Sequence, residues 1–350
     1  MHKRLKVICL LPVALMVLLP VSAKTTFALD PFPKEAGFSG FVQPGVGYLN
    51  IKSNLVAKAG GSDLSNSQIS SLGNKADSES TAIFTLPFKL AYTFDSLRTQ
   101  IFLGSQLEDL ARFDLVQKLG VMHDLGGIGV VEAGVLFSTF PTEVWQDPYV
   151  VNAPRQETDR SSLGVQFTLD KAFGSNFELQ YSYRDIEFDR ELSGQSPSLG
   201  LSLADQKLLD RNRKAHKATV LYHYRLSEKQ RLTPSFSYSV DDGEGDAISG
   251  SGYFAQLTYF YSDDPVTLIL NAGFGASEAD ARNPIFNKTE ESDHLALSAA
   301  IYYKNPWGWQ FFDSKPLQLT LSGAYGQADS NINFYYQEVS LLSAGVLARW

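Results

Sequence analysis

Apolar side chains occupy every second position along much of this chain. The clearest run covers residues 82–94, where every even position is aromatic or aliphatic and most odd positions are small or polar. A period of two is typical of a β-strand with one apolar face. Asp95 and Ser96 predict a tight turn, after which the alternation resumes over residues 97–104. These two segments therefore predict an antiparallel hairpin with one continuous apolar face.

The same alternation returns down the rest of the chain. Together with a first strand near residues 38–51, it predicts about fourteen strands, within a range of about 12–16, and bacterial single-chain barrels have an even number. The later apolar rows begin at Phe113, Val131, Leu163, Phe177, Ala218, Leu232, Tyr253, Val266, Leu295, Leu317 and Leu342. The predicted fold is all-β, a transmembrane antiparallel up-and-down β-barrel over residues 38–350.

Long and short connections alternate between the predicted strands, as expected for outer loops and periplasmic turns. Two connections depart from this rule, because residues 304–316 form a long turn and residues 327–331 a short loop. The expected long loops are residues 53–79, 139–160, 190–211, 241–251 and 277–293, and the expected short turns are residues 95–96, 124–127, 170–175, 227–230 and 262–265. This asymmetry predicts that both termini are periplasmic.

The chain begins with features of an export signal. A basic start is followed by an apolar stretch that is too short for a membrane span, and small residues end it at Ala23 and Ala28. We therefore expect a signal peptide over residues 1–28, cleaved after Ala23 or Ala28, and a tail or short plug over residues 29–37. Cys9 lies in the signal, so the mature chain has no thiol for disulfides or thiolate chemistry.

Charge excludes one class of partner. Cleavage after residue 28 removes four basic and no acidic residues, so the formal net charge falls from −8 to −12. Nucleic-acid binding needs basic patches that replace counterions, and we expect none. The expected location is the outer membrane of a Gram-negative bacterium, with outer-membrane lipid and lipopolysaccharide as partners.

The last strand carries an apolar row that ends on an aromatic residue. It resembles the C-terminal signal of bacterial outer-membrane β-barrels, which implies recognition by the barrel-assembly machinery. The residues are Leu342, Ala344, Val346, Ala348 and Trp350. In this register Glu338 falls on the lipid face, and a β-bulge within residues 332–341 is expected to turn it away.

The first strand supports a family assignment. Residues 36–55 contain Gly-Phe-Ser-Gly-Phe, then Gly-x-Gly-Tyr, then Ser-Asn-Leu at the start of the first loop. This segment resembles the opening of an uncharacterised domain-of-unknown-function family of gammaproteobacterial outer-membrane β-barrel proteins. The resemblance implies the fold and the location, and it implies no activity.

The inward face of the predicted barrel is polar and more basic than acidic. The charged and titratable side chains assigned to the lumen are Lys89, Arg98, Asp114, Lys118, Glu132, Glu178, Arg184, Lys217, His223 and Arg225. A polar, mixed-charge lumen predicts a porin-like channel for passive passage of small hydrophilic solutes, of unknown identity. Two alternatives remain open. One is a gated carrier of a specific or hydrophobic ligand, and the other is a surface-interaction barrel that acts through its acidic loops.

Catalytic and metal-binding patterns are weak. No Gly-x-Ser-x-Gly elbow is present, and the few histidines lack a convincing acid or serine partner in the sequence. Residues 241–246 have the spacing of part of a calcium loop but lack its closing Glu. We therefore expect no enzymatic activity, no cofactor and no metal.

Overall fold

The computed structural model describes residues 35–59, 62–64, 67–106, 115–308 and 316–350. Within these residues it forms a closed barrel of fourteen antiparallel strands, four of which are built from two segments. The strands are β1 (Gly37–Val42 and Gly45–Lys52), β2 (Glu79–Thr85 and Phe88–Phe94), β3 (Thr99–Gln106), β4 (Leu115–Asp124), β5 (Val130–Phe140 and Thr142–Trp145), β6 (Glu157–Asp170), β7 (Phe177–Phe188), β8 (Arg213–Tyr222 and Tyr224–Arg225), β9 (Gln230–Gly243), β10 (Gly250–Asp263), β11 (Val266–Asn283), β12 (Lys288–Lys304), β13 (Gln318–Ser330) and β14 (Gln337–Arg349). The predicted fold and strand number are confirmed.

Each strand pairs with its neighbours in the chain, and β14 closes the ring on β1. Gly45 lies opposite Gly345, and the pairing continues to Lys52 opposite Glu338. Below it, the backbone N–H groups of Gly40 and Trp350 each donate to the carbonyl of the other residue at 3.2 Å. Closure leaves no strand edge for another chain to pair with, which a membrane-spanning sheet requires.

The two faces of the barrel differ as the alternation predicts. Outward side chains such as Phe84 are largely exposed, at 68%, whereas the inward Phe102 is 5% exposed. The outward rows form an apolar belt suited to lipid. Aromatic rings gather on this belt near the strand ends, where Tyr92 packs against Phe38 at 4.9 Å and against Phe94 at 4.8 Å between ring centroids. Among the described residues, no helix is long and apolar enough to cross a membrane.

Two prolines interrupt neighbouring strands at the same level. Pro44 separates the segments of β1 and Pro87 those of β2, yet the pairing keeps one register through both breaks. The Gln43 N–H donates to the Pro87 carbonyl at 2.8 Å, and the Val346 N–H donates to the Pro44 carbonyl at 3.0 Å. Since proline has no N–H to return these bonds, each break removes one hydrogen bond from the ladder.

The connections at the two ends of the barrel differ in length. One end, the turn end, carries residues 95–98, 125–129, 171–176, 226–229, 264–265 and 305–317. The other end, the loop end, carries loop 1 (53–78), loop 2 (107–114), loop 3 (146–156), loop 4 (189–212), loop 5 (244–249), loop 6 (284–287) and loop 7 (331–336). Loop 2 lies outside the described residues, as do the predicted signal peptide and most of the predicted tail.

The prediction of a long loop at residues 277–293 is wrong. β11 runs to Asn283 and β12 starts at Lys288, so only a tight four-residue connection remains. The acidic and small residues of this segment are typical of a loop in sequence. In the structure they continue the two strands, with alternating inward and outward side chains, beyond the apolar belt. The pairing shifts register between Glu278 and Arg282, which marks an irregularity within this extension.

The predicted bulge near Glu338 is also absent. β13 and β14 pair in one continuous register, which leaves Glu338 on the outward face. Its carboxylate accepts a hydrogen bond from Lys52 Nζ at 2.9 Å and another from the Tyr336 hydroxyl at 2.6 Å. Glu338 therefore stays on the outward face, where the charge of Lys52 on the neighbouring strand compensates its carboxylate.

Candidate functional site

Six loops share one apolar core over the loop end of the barrel. Tyr149 of loop 3, Leu209 of loop 4 and Phe334 of loop 7 are fully buried in it. The other members are Leu55, Ile69, Leu72, Leu199, Leu201, Leu208, Ala247, Ile285, Phe286, Ile332 and Tyr335. These loops start from strands all round the ring, so their shared core lies across the mouth. We call loops 1, 3, 4, 5, 6 and 7 the cap.

A buried hydrogen-bond network lies beside this core. The hydroxyls of Tyr149 and Tyr335 are 2.6 Å apart, and Asn283 Nδ2 donates to the Tyr335 hydroxyl at 2.7 Å. Burial raises the pKa of both phenols, so both stay neutral at physiological pH. The network joins loops 3 and 7 to the end of β11 with defined geometry, because buried polar groups need partners.

Two arginines donate hydrogen bonds to backbone carbonyls of the cap and of the strand next to it. Arg211 Nε donates to Glu191 Oε2 at 2.7 Å, and its Nη2 donates to the Trp145 carbonyl at 2.7 Å. Arg155 Nη1 donates to the Asn54 carbonyl at 2.8 Å, and burial lowers the pKa of Arg155 to about 10. Loop 4 is thereby joined to β5, and loop 3 to loop 1.

Loop 1 crosses the mouth on the inside of the barrel. Val56 forms an isolated bridge with Val144, and the Ala57 N–H donates to the Glu143 carbonyl at 3.0 Å. Lys58 forms ion pairs with Glu143 and with Glu157, the latter at 2.9 Å. Val56 also packs, with Leu64, against inward side chains of β1, β13 and β14. Loop 1 therefore spans from β1 to β5 and β6 across the lumen.

A buried ion pair lies on the lumen wall below the cap. Lys118 on β4 contacts the carboxylate of Glu132 on β5, and its Nζ donates to Gln166 Oε1 on β6 at 2.8 Å. Both charged side chains are almost completely buried. Their charges balance each other, so this part of the wall has little net charge.

Four basic side chains face inward on three adjacent strands. Arg160 on β6, Arg184 on β7, and Arg213 and Lys217 on β8 form this group, which we call the basic arc. Arg184 Nη2 donates to Ser162 Oγ at 2.6 Å. On β9, Asp241 Oδ2 lies 3.5 Å from Arg213 Nε. The four side chains make this part of the wall basic.

The wall opposite the basic arc is built mainly from small side chains. β11 to β13 place glycine, alanine and serine at many inward positions, whereas β10 contributes Gly252 beside the larger Phe254 and Gln256. These residues are Gly252, Gly273, Gly275, Ser277, Ala296, Ser298, Ala300, Ser322, Ala324 and Gly326. Towards the turn end the lining becomes apolar, through Phe41, Ile269, Tyr302 and Leu347. The lumen therefore has a mainly basic side and a side of mainly small or apolar residues, which carries Glu290 and His294 near the loop end.

Titratable side chains also meet inside the turn end. One carboxylate oxygen each of Asp170 and Glu178 and one ring nitrogen of His223 all lie within 4.8 Å of one another. His223 Nε2 is 3.1 Å from Glu178 Oε2, and its Nδ1 is 3.3 Å from Thr233 Oγ1. Asp170 and Glu178 flank the β6–β7 turn, and His223 lies between the two segments of β8.

The predicted lumen residues divide into three groups. Lys89, Lys118, Glu132, Glu178, Arg184, Lys217 and His223 lie on inward positions. Arg98 is instead in the exposed turn after β2, paired with Asp124 at 2.5 Å, because its φ of 48° bends the chain there. Arg225 lies exposed at the rim, where its Nε donates to the Ser227 carbonyl at 3.3 Å. Asp114 lies outside the described residues.

Several inward charges were not among the predicted lumen residues. They include Arg160, Asp170, Arg213, Arg231, Asp241 and Glu290. Each lies within or next to a stretch that was predicted to be a connection, because the apolar outward row ends before the strand does. Extending the alternation from Gln166 back through Ser162 would have placed Arg160 on the inward face.

The sequence also matches a protein-family model. The family is described as protein of unknown function DUF2860, and the match covers residues 37–348. The chain belongs to this family. The family resemblance noted in residues 36–55 is thereby confirmed. No curated protein matches the chain.

Solved barrels share the general architecture at low sequence identity. An outer-membrane channel from Pseudomonas putida F1 has a TM-score of 0.39 and 13% identity, covering 92% of this chain and 100% of that one. A Pseudomonas aeruginosa FadL homologue has a TM-score of 0.41 and 11% identity, covering 89% and 90%. The P. putida toluene transporter TodX has a TM-score of 0.42 and 11% identity, covering 94% and 92%. The chain is similar to these outer-membrane barrels in fold only.

Proposed function

We propose that this protein is an outer-membrane channel for small hydrophilic solutes whose outer mouth is closed by the cap and opens when loops of the cap separate. The observation that carries the proposal is the single apolar core shared by six loops from all round the ring. Loops anchored in one core cover the mouth in common, and they move apart only when that core is broken.

The lumen below the cap supports a transport role. Its charged wall offers polar contacts to a hydrated solute, and the small side chains opposite leave room beside it. The first described residues, the C-terminal Trp350 and the short turns share one end of the barrel, which we place in the periplasm, since outer loops are the longer ones. The cap then faces the outside and controls entry of solutes.

The test is single-channel recording on the mature chain refolded into a planar bilayer. Phe334→Ala removes a fully buried ring from the cap core, a change that costs about 3–5 kcal/mol. We expect the wild type to dwell in a closed state and Phe334→Ala to raise its open probability at least about tenfold. Leu297→Ala is the control, because Leu297 faces lipid outside the barrel. Steady wild-type currents equal to those of Phe334→Ala would show an ungated porin and refute the cap as a gate.

A second candidate is a carrier of an apolar or amphipathic ligand. The observation that favours it is the inward apolar cluster of Phe41, Ile269, Tyr302 and Leu347 at the turn end. A water-filled pore has no need of such a lining, whereas an alkyl chain would bind there. Saturable quenching of a lipophilic fluorophore, abolished by Tyr302→Ser, would support the carrier over the channel.

A further inference from the structure

Three side chains with metal-binding donor atoms meet inside the turn end of the barrel. Asp170 ends β6, Glu178 starts β7 and His223 interrupts β8, so three adjacent strands supply one donor each. The backbone fixes this arrangement, because the His223 N–H donates to the Asn176 carbonyl in the turn that joins the two carboxylates. The three donor atoms lie within 4.8 Å of one another, and small side-chain rotations would bring them to the shorter separations of ligands around a single metal ion.

The hydrogen bonds around His223 leave its second nitrogen for a cation. When Nδ1 carries the proton, it donates to the Thr233 hydroxyl, and Nε2 presents its lone pair to Glu178. A lone pair and a carboxylate oxygen 3.1 Å apart repel each other unless a positive charge lies between them. That charge is either a proton on Nε2 or a metal ion bound by both groups.

We propose that Asp170, Glu178 and His223 bind one divalent transition-metal ion of the Zn²⁺ class, with the fourth coordination position open to lumen water. One imidazole and two carboxylates form a mixed nitrogen and oxygen donor set that Zn²⁺ accepts. Thr233 is the outer partner that orients the imidazole, a role common at metal-bound histidines. Gln180 Nε2 donates to the other oxygen of Glu178 and fixes that carboxylate.

Two arginines near Asp170 limit the affinity of this site for a metal ion. Arg231 is close enough to Asp170 for their charges to interact, and Arg225 lies opposite Arg231 on the neighbouring strand. They disfavour any cation, and Ca²⁺ in addition takes six to eight oxygen ligands, which two carboxylates and an imidazole do not supply. A nitrogen-containing donor set retains Zn²⁺ through its ligand bonds. The expected selectivity is therefore Zn²⁺ over Ca²⁺.

Isothermal titration of the refolded, detergent-solubilised barrel with Zn²⁺ tests this site. We expect one Zn²⁺ per chain, loss of that binding in His223→Gln and Glu178→Gln, and about tenfold weaker binding in Thr233→Val. His123→Gln is the matched control, because His123 lies at the same end and contacts Thr99 Oγ1 at 2.8 Å outside the carboxylate group. Zn²⁺ binding by this control should equal that of the wild type.

A second measurement does not depend on how the variants fold. Co²⁺ added to the wild type should give visible d–d absorption bands that equimolar Zn²⁺ removes and a large excess of Ca²⁺ leaves in place. Two results would overturn the proposal. One is Zn²⁺ binding that is equal in the wild type and in folded His223→Gln, and the other is the absence of any saturable binding. Either would leave Glu178 and His223 as a hydrogen-bonded pair only.

Discussion

Lys118 lies flat across Gly134 on the neighbouring strand. A Cβ atom placed on Gly134 would be 2.8 Å from Lys118 Cγ, closer than side chains pack. The same relationship joins Arg184 to Gly164 at 2.8 Å and Phe102 to Gly120 at 2.6 Å. Glycines therefore let large inward side chains lie along the wall, where they leave the axis of the lumen clearer.

Gly134→Ala should push Lys118 away from the wall and weaken its contact with Glu132. Overpacking of this kind costs about 1–3 kcal/mol. We expect urea unfolding of the refolded barrel in detergent to show that loss, and the open-state conductance to fall because Lys118 moves towards the axis.

Gly127→Ala is the matched control for this effect. Gly127 lies in the turn after β4, and a Cβ there would have no neighbour within 4 Å. The control should keep wild-type stability and conductance. Equal stability of Gly134→Ala and Gly127→Ala would contradict the steric argument.

The sequence predicted the barrel because lipid imposes a strict rule on one face of each strand. Phe84, Leu163 and Leu297 follow that rule, and their alternation sets register and strand count. Inward positions follow no such rule, because residues as different as Gly134, Lys118 and Ala296 all line the lumen. The pairing of Lys118 with Gly134 depends on cross-strand register, which a single strand's pattern does not show.

The ion pair of Lys118 and Glu132 should behave as a coupled unit. Lys118→Met leaves the buried Glu132 without its cation, and breaking a buried pair from one side costs about 3–5 kcal/mol. We expect the double variant Lys118→Met/Glu132→Gln to be more stable than Lys118→Met alone. Urea unfolding of all four members of this cycle measures the coupling, and additive losses would show that the pair does not interact.

Lys217 should influence which ions pass through the open channel. It belongs to the basic arc, so Lys217→Glu should lower the ratio of chloride to potassium permeability measured from reversal potentials. Lys214→Glu is the control, because Lys214 is on the same strand but faces outward. An equal shift in both variants would assign selectivity to overall charge and not to the arc.

Glu338 and Lys52 should stabilise the seam between β14 and β1 as a pair on the lipid face. Lys52→Met leaves the Glu338 carboxylate on the lipid face without its cation. An unpaired carboxylate there costs less than the ~2–4 kcal/mol of a lysine or arginine at the midplane, and less again near the interface. The double variant Lys52→Met/Glu338→Gln should recover most of that stability. Refolding midpoints in urea with lipid vesicles provide the measurement, and failure of the second change to restore them would contradict the pairing.

The cap could not be predicted from the sequence. Leu209, Tyr149 and Phe334 are far apart in the chain and lie in segments without any period. Their common core depends on where the ring of strands starts each loop. The sequence did not predict the group of Asp170, Glu178 and His223 either. These residues lie on different strands, and only the pairing of those strands brings them together.

Arg211 should make the closure of the cap less dependent on pH. Burial raises the pKa of Glu191, and the Arg211 charge opposes that shift. In Arg211→Met the folded pKa of Glu191 should rise further above its unfolded value, so the stability from protonation is present below about pH 4.5 and lost as pH rises through the folded pKa. Protease cleavage within loop 4 should then increase more steeply from pH 4 to pH 8 in this variant than in the wild type. Adding Glu191→Gln should remove the pH dependence, and its persistence would show that another group controls the loop.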